Sequence, residues 1–176
     1  MNELNDGPVA IIQMRNVDAE NGVSWGEVQR VALPSKRPPA CLAAGDILFT
    51  TRGTRNFAVA LDAVEGAAVC SPHFFVIRVR DADQIEPRFL AWQINQRPAQ
   101  EYLQREATGS HILNIRREVI AGLQTALPPL ATQRTIVALA DAARAERAAL
   151  TRLMDNRSQQ LEAIALGLAT PERHHA

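Results

Sequence analysis

Four short segments concentrate the side chains best suited to meeting a polyanion. They are Arg15-Asn16, the Lys36-Arg37 pair, the run Arg52-Gly53-Thr54-Arg55-Asn56, and the stretch bearing Ser110, His111, Asn114, Arg116 and Arg117. No acid occurs between Val28 and Ala44, around Lys36 and Arg37, and the run 52–56 is likewise acid-free. Guanidinium forks, a hydroxyl and amides are the groups that contact phosphates and base edges of nucleic acid. The alternative for each segment is a solvated loop, or an arginine paired with an internal carboxylate.

The same residues exclude other chemistry. Lys36 is the only lysine among 19 cationic residues, and it follows Pro34-Ser35. There is no Gly-Lys pair for a phosphate-cradling loop, no Glu-x-Lys of a metal-dependent nuclease, and no Gly-x-Gly for a dinucleotide or S-adenosylmethionine loop. Four scattered histidines define no catalytic triad. His174-His175 fall in a tail expected to be frayed, and no metal site is expected. His73 reads as a histidine at the edge of the core, and Trp25 and Trp92 as packing residues. Cys41 and Cys70 lie among small or apolar neighbours and read as buried free thiols of a reducing compartment.

Bulk charge gives no guide to partners. The 176 residues carry 19 cations and 19 acids, and 47% of them are hydrophobic. That composition supports a packed core and argues against a polyelectrolyte tail as the binding device. Nearly every cation is arginine, but alanine is also abundant, so base composition of the gene accounts for much of that bias. The polar, acidic start is unlike a signal peptide, and no apolar run approaches the roughly 20 residues of a membrane span. A cytoplasmic protein is expected.

The elements that must hold these segments fall into two regimes, with a seam at Pro128-Pro129. Before it, β-like runs alternate with turns. Val9–Met14, Glu27–Leu33, Ile47–Thr51, Phe57–Leu61 and Phe74–Arg80 read as strands, the third and fourth as arms of a hairpin. Pro34, Pro38 and Pro39 impose a loop. A helix starts at Pro87, is kinked or split by Pro98, and ends at Gly109-Ser110-His111. Leu123–Leu127 reads as a short last strand. Asp46 is expected to hold its turn.

After the seam, Thr132 is a plausible N-cap, and Gln133 to Leu168 contains no proline and no glycine before Gly167. That is about 54 Å of helix at 1.5 Å per residue. Ile136, Leu139, Ala143, Leu150, Leu153, Met154, Leu161, Ile164 and Leu168 form an apolar stripe with near-heptad spacing, interrupted by Glu146, Arg157 and Gln160. So long a stripe calls for a partner helix, and Asp141 can pair with Arg144 or Arg134 on its flank. The expected fold is α+β. Residues 1–129 form a small curved mixed sheet with flanking helices, 130–170 a coiled-coil helix, and 171–176 a frayed tail.

Several of these pieces, in order, resemble one family. Gly45-Asp46-Ile47-Leu48-Phe49-Thr50-Thr51-Arg52-Gly53 resembles the Gly-Asp-Ile-Leu-Phe segment of target-recognition domains in specificity subunits of type I restriction-modification systems. Ile12–Val17 is similar to the stretch ahead of it. Phe74–Arg80 with Ile85–Ala91 is similar to the strand and Pro-led helix behind it. Thr108-Gly109-Ser110 resembles the family's Gly-Ser turn. Leu127–Gln133 with Ile136-Val137 resembles its Pro-Pro-Leu-x-x-Gln-x-x-Ile-Val lead into the long helix.

The resemblance implies a non-catalytic subunit that reads half of a split site in double-stranded DNA. It also implies partner methyltransferase subunits, which carry S-adenosylmethionine and modify adenine, and a restriction subunit that can join. No cofactor is expected on this chain itself. Family subunits carry two recognition domains and two long helices, whereas one of each is present here. A homodimer through the helix, reading a palindromic split site, follows as an expectation. The competing readings are a stand-alone DNA-binding protein, and a coiled-coil scaffold that has lost its affinity for DNA.

Overall fold

A computed structural model of the protein describes residues 7–32, 41–109 and 112–169. The chain divides into two compact units, 1–137 and 138–176. In the first, ten strands and three helices precede the long one among the described residues. Its centre is β5, Asp46–Thr50, flanked by antiparallel β7 (Ala58–Ala60) and β9 (Phe74–Arg78). All five residues of β5 are buried, because both faces of this strand are covered. Leu48 and Val59 enter one core with Ile12, Leu61, Ala68 and Phe74. Ile47, Phe49 and Ala58 enter a second with Ile94, Leu103, Ile115 and Val119. The two-residue period of the strand thus splits its apolar side chains between two cores.

The remaining strands are short. β1 (Val9–Ile12) lies between antiparallel β4 (Gln29–Val31) and parallel β8 (Ala67–Cys70). β2 (Val17–Asp18) pairs with β3 (Gly22–Val23), and β6 (Arg52–Gly53) with β10 (Leu113–Asn114). The mixed sheet expected from sequence is therefore divided into four. Helices α1 (Pro87–Ile94) and α2 (Arg97–Glu106) are the two halves of the Pro-led helix, split just ahead of Pro98 as its missing N–H requires. A third helix, α3 (Arg117–Ala121), was not apparent in the sequence, nor was β8.

Several expectations are corrected. Glu27–Leu33 is strand only at Gln29–Val31; Trp25–Glu27 form a single 3-10 turn, and Leu33 lies outside the described residues, as do the proline loop 34–40 and the tail 171–176. Leu123–Leu127 is not a strand, because the Gln93 amide engages Ala126 from both sides (2.7 and 2.9 Å) in place of a strand neighbour. The Pro-led helix stops at Glu106, before the Gly109 turn. Cys41 is exposed and Cys70 half-buried, so neither is a fully buried thiol. His73 is exposed, with only its backbone carbonyl tied to the core edge. Trp25 packs against the first core and Trp92 stacks on Phe89, consistent with packing roles.

The long helix α4 runs from Leu130 to Ala169, starting two residues ahead of the expected cap at Thr132. In its first turns Gln133 and Val137, one turn apart, are buried. The Gln133 amide accepts from Glu86 N and donates to the carbonyls of Gln84 and Pro128. Ile136 is half-buried in the first unit, and so is not free for a partner helix along its whole surface. In the second unit Leu139, Leu150, Leu153, Met154, Leu161, Ile164 and Leu168 are each more than half exposed, and Ala143 is exposed. Arg144 and Asp141 lie 3.5 Å apart on this helix, an exposed pair of small energetic weight. No helix among the described residues is long and apolar enough to cross a membrane.

Asp46 anchors the central sheet. Gly45 takes a φ of 85°, a left-handed turn that favours glycine. The turn delivers the Asp46 carboxylate to Ala43 N at 2.9 Å and to Arg78, directly across the β5–β9 ladder, through two contacts of 2.6 Å. Burial alone raises its pKa, but the Arg78 guanidinium and the Ala43 N–H outweigh that and hold it below the ordinary carboxylate range. Arg78 is more than half exposed, so solvent screens its side of the pair. Asp46→Ala is expected to cost about 2 kcal/mol in a denaturant titration at neutral pH. A depressed folded pKa stabilises above the unfolded carboxylate value of about 4. The difference between wild type and variant should therefore shrink as the pH falls below that value.

Candidate nucleic-acid interface

The chain leaves the central sheet at Thr51 and creates the site in doing so. Thr51 donates its N–H and its hydroxyl to the His73 carbonyl (2.8 and 3.0 Å), and its own carbonyl accepts from Ile115 N at 2.9 Å. These bonds hold the His73 turn on one side and β10 on the other. β6 then pairs with β10 in the register Arg52↔Asn114 and Gly53↔Leu113. Two segments that lie about 60 residues apart in sequence become one ribbon. Gly109, at φ 102°, approaches β10 closely: a Cβ there would lie 2.3 Å from the Ile112 carbonyl oxygen.

The other edge comes from the parallel pair β1–β8, which ends in the register Ile12↔Cys70 and continues with Ser71 N donating to Ile12 O at 2.9 Å. Met14 follows β1 and His73 follows β8, so both arrive beside Arg52. The result is a cleft of about 420 Å³ lined by Met14, Arg52, Gly53, Thr54, His73 and Ile112. Arg52, Thr54, Arg55, Asn114, Arg116 and Arg117 are all exposed on this ribbon and its flanks. Among the described residues, the side chains of Arg52, Arg55, Arg116 and Arg117 have no hydrogen-bond or ion-pair partner. Arg15, next to Met14, is exposed and bonds the Gln29 side chain at 3.1 Å.

Two expected contact residues are corrected. Asn16 is 1% exposed: its carbonyl oxygen accepts from Gln13 N and its NH2 donates to the Glu27 carbonyl. Asn56 is 3% exposed and donates to the Thr50 carbonyl at 2.8 Å. Both amides close backbone bonds that the short strands leave open, and neither side chain is presented to a ligand. Lys36, Arg37, Ser110 and His111 lie outside the described residues. Met14, His73 and Ile112 were not anticipated. Met14 and Ile112 adjoin segments that the sequence did single out, but only the β1–β8 and β6–β10 pairings bring the three together. No three His, Cys, Asp or Glu side chains converge among the described residues.

No protein-family model and no curated protein sequence matches the chain. Solved structures do. The HsdS subunit from Thermoanaerobacter tengcongensis aligns over 95% of this chain and 44% of its own length, with 21% identity and a TM-score of 0.58. A chain from a structure of type I R-M complex assembly and conformational transition aligns over the same shares, with 20% identity and a TM-score of 0.67. The chain has the HsdS fold. It spans less than half the length of these two chains.

If Asn16 and Asn56 serve the fold, their loss is a stability effect. Asn16→Ala is expected to lower unfolding stability by about 2 kcal/mol, because two backbone groups lose their partner. Arg55→Ala, on the open surface, is expected to stay within about 0.5 kcal/mol of wild type. Chemical denaturation of the two variants side by side checks the contrast.

Proposed function

We propose that the protein is a non-catalytic specificity subunit that recognises a sequence in double-stranded DNA and positions methyltransferase subunits there. The observation that carries this reading is the HsdS-like fold across 95% of the chain. The local chemistry agrees with it. Exposed arginines without carboxylate partners, a threonine hydroxyl and an asparagine amide share one ribbon, which suits phosphate positioning with base-edge contacts beside it. The sum of charges is zero, but the position of these charges makes a local cationic face.

The long helix supplies the second half of the proposal. Seven large apolar side chains from Leu139 to Leu168 are exposed at near-heptad spacing. Such a stripe is stabilised by a second helix of the same kind. A homodimer through this helix would present the same recognition domain twice and demand an inverted, split target. The modification subunits, with S-adenosylmethionine, would dock on that scaffold; a restriction subunit would turn the complex from methylation to cleavage.

Two measurements check the two halves. In fluorescence anisotropy with duplex DNA, affinity should fall steeply with salt, and Arg52→Ala and Arg116→Ala should each lower the slope of log K against log [salt] by about 1. Binding independent of salt contradicts the assignment of the face. Static light scattering should give about twice the 19.3 kDa chain mass for the wild type and the monomer mass for Leu153→Glu. A wild-type monomer at micromolar concentration contradicts the helix pairing.

A further inference from the structure

The cleft at the centre of the arginine-bearing face is apolar where it has no need to be. Ile112 is 52% exposed and belongs to neither core, while Met14 is half-buried, packing against the first core and lining the cleft as well. Both line a hollow whose other walls are Arg52, Thr54 and His73, with Gly53 between the first two. Phosphates are served by the guanidinium groups, and base donors and acceptors by polar side chains. One apolar group stands on the major-groove edge of DNA, the C5-methyl of thymine.

We propose that this cleft reads a thymine, seating its C5-methyl between Met14 and Ile112. The inference rests on the proposed DNA-binding role and adds a specificity determinant to it. Three features of the site support a reader rather than a bystander. The Ile112 position is set by the Leu113↔Gly53 pairing that follows it directly. A side chain held in place by the fold loses little freedom on binding, and so discriminates well. Gly53 has no side chain to fill the hollow, so a base edge can enter between Arg52 and Thr54. Arg52 in the wall of the hollow, and Arg116 two residues beyond Asn114 of the ribbon, have no described carboxylate partner and can take phosphates.

The test begins with the full-length protein and duplexes that it selects from a random pool. Each thymine of the selected half-site is then replaced, one at a time, by deoxyuridine, which lacks only the methyl group. One thymine per half-site should respond, with affinity falling about 3- to 5-fold, the size of one buried methyl group. Ile112→Ser, at an exposed position, should bind the thymine and uracil duplexes equally while keeping the wild-type salt dependence. Met14→Ala should reduce the same difference. Arg117→Ala, outside the cleft, should weaken both duplexes alike and keep the difference. Tolerance of uracil at every position overturns the proposal, and needs no variant to be seen. So does a selected half-site without thymine, or a full uracil penalty in Ile112→Ser. Failure to enrich any duplex instead overturns the DNA-binding role, and this inference with it.

Discussion

A buried backbone N–H or carbonyl without a partner costs about as much as a lost hydrogen bond, and strands of two to five residues leave many such groups at their ends. The first unit meets this with primary amides. Asn95 bonds both the N–H and the carbonyl of Ala58 at 2.8 Å, so the end of α1 takes the place of a further strand beside β7. Gln93 does the same for Ala126. Asn16 joins Gln13 to Glu27, and Gln133 ties three backbone groups to the start of the long helix. Each amide carries a donor and an acceptor and so substitutes for a peptide group.

That solution leaves the site free to be irregular. Because amides satisfy the backbone locally, the chain can turn off the central sheet at Thr51 and pair two residues of β6 with two of β10. A continuous sheet would have kept these segments in separate registers. The arginines sit beyond those points of departure, and none of Arg52, Arg55, Arg116 and Arg117 is ion-paired among the described residues. The buried carboxylate of the sheet, Asp46, is held by Arg78 away from the cleft. Acids and bases balance over the chain, and the ion pairs among the described residues lie outside the ribbon.

Patterns that depend on neighbours in sequence were legible. The Ile47–Thr51 strand, the proline split between α1 and α2, and the long helix all follow from local periodicity and proline chemistry. The arginines of the ribbon were also visible, because charge clusters need no folding to be seen. The fates of Asn16 and Asn56 were hidden, since an asparagine that reads a base and one that closes a backbone bond have the same local context. Leu123–Leu127 reads as a short strand stopped by Pro128-Pro129, but the partner of Ala126 within it is the side chain of Gln93, about 30 residues earlier. Met14, His73 and Ile112 meet only through pairings between distant strands. The stripe on α4 was legible, but its first member, Ile136, is half-buried within the first unit.

The proposed convergence of these segments on one face that binds DNA is tested most directly by amide hydrogen exchange. The full-length protein would be measured alone and with duplex DNA at low salt. Slowed exchange is predicted at residues 52–55 and 112–117 together, with little change across α1 and α2. Unchanged exchange in both segments, or protection confined to α1 and α2, would contradict it.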